Sequence, residues 1–324
     1  MSPRAEGTVA LTFTRWRDVS LVTRTKPSRS VRSARFLFIA LVAVLVGSAA
    51  PAFASLPDTS SPELRLLRTI RTSPFAGSSI SMRDAEGSAF VPRDNSLWLA
   101  DDNGRAVYEI DPVTGTLKRK IGASAFGSAT RFGGGSQAGT DRTRDFESMA
   151  YDEGNDVLYV FSGPCCSASV LPTVFRLTRG SGGKLQVESF QPLGSGANYT
   201  GAGWNSKDGK LYVGVARKLR SYNYVTNTAG PIFRVPDLAG ITGMDFSSNG
   251  ADLYVTTNAE KLRRVDWTSK RLVAGWTFDL TPFDVRDSRA VELINDQFYV
   301  LDGFDGRPSG DPLRHAVFVF GVLP

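Results

Sequence analysis

An apolar–aromatic–apolar triplet recurs along the chain as Leu97-Trp98-Leu99, Leu158-Tyr159-Val160, Leu211-Tyr212-Val213, Leu253-Tyr254-Val255 and Phe298-Tyr299-Val300. Successive aromatics are 61, 53, 42 and 45 residues apart. Self-similarity at such a period marks units that cannot bury their own apolar faces and must stack on one another. Nine residues before the aromatics stand Ala89, Ala150, Gly203, Asp245 and Ala290, four of them small. A second strand-like run follows each triplet: Ala106 to Asp111, Thr173 to Leu177, Leu219 to Tyr224, Leu262 to Trp267 and Ala316 to Val322. A turn and a third run follow in most units, as in Thr116 to Ile121 and Leu272 to Phe278, and no long stretch has helical periodicity.

Units of four short antiparallel strands at this spacing predict an all-β chain folded as a single five-bladed β-propeller, with small residues on the crowded innermost strands. The last unit has three strands, and Leu64 to Ile70 is a spare strand near the other end. Pairing of the N- and C-terminal strands is therefore expected to close the ring. A six-bladed alternative would need strands within Ala123 to Arg144, but that stretch is rich in Gly, Ser and Thr and lacks the triplet. It reads as a long loop of the kind that carries function.

Charge divides the chain in two. Residues 1–54 hold eight of the 38 Lys/Arg and two of the 32 Asp/Glu, so the whole formal net charge of +6 lies there and residues 55–324 are neutral. Within that segment Arg32 and Arg35 precede the apolar run Phe36 to Val46, which is followed by Ala52-Phe53-Ala54. This is the pattern of a secretory signal peptide cleaved after Ala54, with residues 55–324 as the propeller domain. The run is too short for about 30 Å of hydrocarbon, so no stable membrane anchor is expected. Val31 directly precedes the basic pair, which points to translation starting there. A neutral mature chain offers polyanions no field, so nucleic acid is not an expected partner. The expected product is a secreted monomer.

One His and two Cys exclude HExxH zinc enzymes, four-ligand Cys/His zinc sites and multi-histidine iron or copper centres. GxSxG, GxGxxG and P-loop patterns are missing. His315, beside Arg314, is the sole imidazole for a Ser-His-Asp triad, or else an ordinary strand histidine. Cys165-Cys166 in an exported chain form a vicinal disulfide, an intermolecular bridge or free thiols; the vicinal bond is the favoured reading, as a rigidifying device. Trp204, Trp267 and Trp276 are sugar platforms or packing between blades.

Carboxylates repeat with the strands. Asp84 and Glu86 lie 14 and 12 residues before Trp98, and Asp145 and Glu147 lie 14 and 12 before Tyr159. The same columns hold Asn198 and Thr200, Gly240 and Thr242, and Val285 and Asp287. The later column starts the innermost strand, beside the end of the next one, where Asp101, Asp102, Asn258 and Asp302 stand. Both sets should open on one mouth of the central channel. Glu86, Glu147, Asp145, Asp102 and Asp287 there form a hard oxygen site suited to Ca²⁺, with Glu86 and Glu147 as catalytic candidates. The competing reading is that these residues cap turns and pair with Arg between blades.

Glu86-Gly87-Ser88 through Leu97-Trp98-Leu99-Ala100-Asp101 to Tyr108-Glu109-Ile110-Asp111 resembles a blade of secreted propellers related to esterase-like phytases. Asp145-Phe146-Glu147 through Tyr159-Val160 resembles the acidic blade of those proteins and of the SdiA-regulated family, and gluconolactonase-type propellers have a comparable strand start. The resemblance spans Arg83 to Ser162. It implies a calcium-binding propeller that hydrolyses esters or phosphoesters. Ser148 replaces the usual Gly of the second acidic blade, and Arg83, Arg105, Arg144, Arg286 and Arg289 do not form a dense phosphate clamp, which weighs against phytase activity itself. Three classes remain: a calcium-dependent secreted hydrolase, a non-catalytic propeller binding a carbohydrate or protein at the mouth, and a lactonase-like enzyme. A small molecule or polysaccharide is the expected ligand, with a protein as the alternative for the second class.

Overall fold

The computed structural model describes residues 62–134, 142–164, 171–194 and 197–323, all within the unit Pro57–Pro324. The expected signal peptide and Cys165-Cys166 lie outside the described residues.

Twenty-one strands run in chain order: β1 (Glu63–Ile70), β2 (Ala85–Val91), β3 (Ser96–Asp101), β4 (Ala106–Ile110), β5 (Leu117–Gly122), β6 (Thr130–Arg131), β7 (Phe146–Asp152), β8 (Val157–Ser162), β9 (Thr173–Arg179), β10 (Leu185–Pro192), β11 (Gly201–Asn205), β12 (Lys210–Val215), β13 (Lys218–Asn223), β14 (Thr228–Ala229), β15 (Ile241–Phe246), β16 (Asp252–Thr257), β17 (Lys261–Asp266), β18 (Arg271–Asp279), β19 (Ser288–Ile294), β20 (Gln297–Asp302) and β21 (Val317–Leu323). They form five sheets: β2–β5 is blade 1, β7–β10 with β6 at its edge is blade 2, β11–β14 is blade 3, β15–β18 is blade 4, and β19–β21 with β1 is blade 5. The innermost strands β2, β7, β11, β15 and β19 contact one another in a closed cycle. Closure is by β1, which pairs antiparallel with β21 from Glu63 opposite Leu323 to Ile70 opposite Val317. The described residues thus form a five-bladed propeller with its terminal strands joined.

The triplet explains the ring. Successive residues of a strand face opposite sides of the sheet, and each blade has another blade on both sides. Leu97 and Leu99 enter the cluster between blades 5 and 1, whereas Trp98 enters the cluster between blades 1 and 2. Leu158 and Val160 face blade 1 while Tyr159 faces blade 3. The same split sends Tyr212 toward blade 4, Tyr254 toward blade 5 and Tyr299 toward blade 1. Every unit therefore offers its aromatic to the next blade and its aliphatics to the previous one, which is satisfied only when the last unit meets the first.

Crowding on the axis takes the small residues as expected. A Cβ on Gly243 would lie 2.4 Å from Ala290 Cα of blade 5, and one on Gly87 would lie 2.7 Å from Ser148 Cα of blade 2. The space left between these innermost strands is about 10 Å³.

Two expectations shift. Residues 123–134 contribute to the core: the short helix α1 (Ala123–Gly127) buries Phe126 against Phe146 at 4.9 Å and Phe175 at 5.0 Å, and β6 lies parallel to β10. The hairpin of blade 5 is also two residues tighter than that of blade 1, turning through Asn295 and Asp296, both with left-handed φ. Tyr299 consequently faces Glu292 rather than Ala290.

Candidate functional site

The site forms where the innermost strands begin. In blades 1, 2, 4 and 5 the pairing with the second strand skips one residue near the start: Glu86, Glu147, Thr242 and Arg289 respectively. Such a bulge re-aims the side chain of the extra residue, so these four residues occupy one column around the mouth. The tighter blade 5 hairpin moves that blade by two positions. Arg289, not Asp287, is the counterpart of Glu86 and Glu147, and Asp287 joins Asp84, Asp145, Asn198 and Gly240. A shared backbone clamp fixes the earlier column. The amides of Asp102, Gly163, Asn258 and Gly303 donate to the carbonyls of Asp84 (3.0 Å), Asp145 (2.7 Å), Gly240 (2.8 Å) and Asp287 (2.7 Å).

Arg289 reaches across the blade 5–1 seam. Its Nη1 lies 2.8 Å from Glu86 Oε2 and its Nη2 lies 2.8 Å from Asp287 Oδ2, while its Nε is buried without an acceptor among the described residues. Asp145, Glu147 and Asn198 gather on the other side. A Cβ built on Gly163 would stand 2.3 Å from Asp145 Oδ2 and 2.9 Å from both Glu147 Oε1 and Asn198 Oδ1. The absence of a side chain at Gly163 is what leaves room for this oxygen cradle. Asn198 Oδ1 is buried and accepts no hydrogen bond among the described residues. Asp102 Oδ1 accepts from the Asp145 amide and holds that residue, whose φ is 63°, in place.

Electrostatics reflect the crowding. Burial, followed by the charge of Asp145 and a hydrogen bond with it, lifts Glu147 to about 8, with Arg289 opposing. Burial pushes Glu86 well above the usual carboxylate range; Arg289 pulls it back while Glu147, Asp84 and Asp287 add to the rise. Asp84 is raised to about 7 by burial and by Asp305 and Asp102. Burial also raises Asp102, against the Asp145 amide. Carboxylates that take up protons because they are packed together bind a divalent cation in exchange for those protons.

The neighbouring aspartates are structural. Asp101, fully buried, accepts from the amides of Arg83 (3.1 Å), Asp84 (3.0 Å) and Gly104 (2.8 Å) and from the Tyr108 hydroxyl (3.1 Å). Asp302 does the same in blade 5 for the amides of Arg286 and Asp287, at 3.2 and 2.8 Å, and pairs with Arg307 at 3.3 Å. Both pin the loop that enters the innermost strand. His315 is fully buried with Nε2 3.3 Å from Asp305 Oδ1, and burial holds its pKa below the ordinary value. No serine hydroxyl bonds it among the described residues.

Of the residues read from the sequence, the structure groups Asp145 with Glu147, ties Asp102 to the Asp145 backbone, and places Glu86 and Asp287 on Arg289. Among the described residues, no three His, Cys, Asp or Glu side chains are arranged to hold a metal ion. The oxygens that do converge are two carboxylates and the amide of Asn198, which the strand columns had already aligned with Asp84 and Asp145.

No family model and no curated protein matches the chain. Among solved structures, the glutaminyl cyclase of Myxococcus xanthus superposes with a TM-score of 0.52 at 11% identity over 80% of this chain and 96% of that one. The PQQ-bound aldose sugar dehydrogenase of Streptomyces coelicolor gives 0.47 at 11% identity, covering 81% and 98%, and a gluconolactonase of Xanthomonas campestris gives 0.46 at 14%, covering 75% and 87%. The likeness to the cyclase is one of fold. It extends across 1369 solved chains and so selects no chemistry.

Proposed function

We propose that the protein is an exported calcium-binding propeller that hydrolyses ester or phosphoester bonds at its acidic mouth. The observation that carries this reading is the convergence of Asp145 Oδ2, Glu147 Oε1 and the unpartnered Asn198 Oδ1 on the space beside Gly163. Two carboxylates and an amide oxygen are hard donors that suit Ca²⁺, whose flexible shell takes further ligands from water and substrate. When bound, the ion supplies Lewis acidity and an activated water.

Each side chain then has a task. Asp145 and Glu147 hold the ion, and Glu147 surrenders its proton to do so. Asp102 keeps Asp145 in position through its amide. Glu86, which burial keeps protonated beside Arg289, is assigned the role of donating a proton to the leaving group. The Arg289 guanidinium, held by Glu86 and Asp287, sets a positive charge beside the mouth that stabilises negative charge developing on the substrate. Export rests on Arg32, Arg35, the run Phe36 to Val46 and Ala52-Phe53-Ala54.

The test is turnover of 4-nitrophenyl acetate and 4-nitrophenyl phosphate by the full chain. Activity on at least one that EDTA abolishes, calcium restores and Glu86→Gln reduces by about 10²-fold or more supports the assignment. Calcium binding without turnover of either would leave a binding propeller in its place.

A further inference from the structure

Blades 2 and 3 part at the end of the strands opposite the mouth. The fourth strand of blade 3, Thr228–Ala229, has two residues, whereas that of blade 2 has eight. It pairs with β13 only at Tyr222 and Asn223, so the outer part of the seam lacks a full strand to fill it. A cavity of about 410 Å³ results, bordered by Tyr159, Trp204 and Tyr222 and by the polar residues Asn155, Ser221 and Asn223. That volume is in the range of small-molecule sites, and four aromatic rings (Tyr159, Trp204, Tyr222 and Tyr224) border it together with polar side chains, with the charged Asp152 and Lys210 at its edge.

Trp204 stands apart from the other described tryptophans. Trp98 lies under the Arg119 guanidinium at 4.9 Å, Trp267 meets Tyr212 and Phe246 at 4.7 Å each, and Trp276 meets Phe278 at 4.8 Å. Trp204 rests on the blade 2–3 cluster, is partly exposed, and makes no ring or cation contact among the described residues. The polar border is also unspent. Asn155 uses its amide nitrogens on Asp152, leaving its side-chain carbonyl as an acceptor. Asn223 uses its carbonyl on the Thr226 amide, leaving an NH₂ donor. The Ser221 hydroxyl makes no hydrogen bond among the described residues and can donate or accept.

We propose that this cleft binds an uncharged sugar ring of an oligosaccharide, stacked on Trp204 and hydrogen-bonded by Asn155, Ser221 and Asn223. An aromatic plane flanked by one acceptor, one donor and one hydroxyl matches the C–H face and alternating hydroxyls of a pyranose. A purely apolar ligand would strand all three polar groups. Lying at the far end of the strands, the cleft anchors the protein to polysaccharide while leaving the mouth open, and it does not depend on the metal reading above.

The test titrates the full chain with oligomers of glucose, xylose, galactose and N-acetylglucosamine to about 50 mM, a range that reaches millimolar affinities, following tryptophan fluorescence and ligand-observed NMR. At least one series should saturate, with EDTA without effect. Trp204→Ala should weaken it about tenfold or more, and Asn223→Ala should weaken it less. Should Trp204→Ala fail to give a cooperative melt, Ser221→Gln fills the same cleft from its border and should abolish binding in a folded protein. No saturation with any series, unchanged binding in both the Trp204 and Ser221 variants, or preferential binding of indole would each overturn the proposal.

Discussion

In calcium-free buffer the protein should lose stability as the pH rises from about 5 to about 9, and Glu147→Gln should remove a defined share of that loss. Burial, then Asp145, lifts Glu147 from the ordinary 4.5 to about 8. Between those two values the folded chain keeps a proton that the unfolded chain has released. A raised carboxyl pKa therefore gives stability that is present below 4.5 and lost as pH climbs through about 8. At about 1.4 kcal/mol per pH unit for one group, the interval amounts to about 5 kcal/mol. A Gln does not titrate, so the variant should recover ~2 kcal/mol or more at the alkaline end. Burial also lifts Asp84 and Asp245, each to about 7, and adds slope of the same sign. The informative quantity is thus the difference between wild type and variant. Guanidinium unfolding in EDTA across the pH series measures it. Identical pH profiles for the two proteins, or a wild type that gains stability with pH, would refute the reasoning.

Two glycine substitutions separate architecture from site. Gly243→Ala puts a methyl 2.4 Å from Ala290 Cα and 2.8 Å from the Arg289 carbonyl, backbone that cannot yield, and should cost about 2–3 kcal/mol in denaturant unfolding; Gly122→Ala, with nothing within 4 Å, should be near neutral. Gly163→Ala meets only the mobile ends of Asp145, Glu147 and Asn198, so it should leave the calcium-free melt nearly unchanged while erasing the stabilisation that calcium confers.

The blade count was legible because the triplet encodes a two-sided strand. Leu97 and Leu99 need one neighbouring blade and Trp98 needs another, and no fold with a free sheet face satisfies both. The spare strand, read from the sequence as Leu64 to Ile70, was legible for the same reason, as the partner that β21 lacked. The site was half legible. Counting back from the aromatic assumes a constant hairpin, and the tight Asn295-Asp296 turn shortens blade 5 by two, which put Asp287 in the glutamate column where Arg289 belongs. Alignment on the strand start, Ser288-Arg289-Ala290 against Ala85-Glu86-Gly87, would have found it. What no spacing reveals is which carboxylates an arginine neutralises. Arg289 takes Glu86 and Asp287 across a seam between the first and last blades, whereas Asp145 and Glu147 lie together beside Asn198. Residues 123–134 were misleading in composition, since one buried phenylalanine, Phe126, draws a Gly- and Ser-rich stretch into the core.

Calorimetric titration of the full chain with Ca²⁺ tests the central claim most directly. A single saturable site, accompanied by proton release near pH 7 and lost in Glu147→Gln and Gly163→Ala, is the predicted result. No binding heat, no change in melting with calcium or EDTA, and no metal in the purified protein would contradict it and leave the acidic mouth a structural element of the propeller.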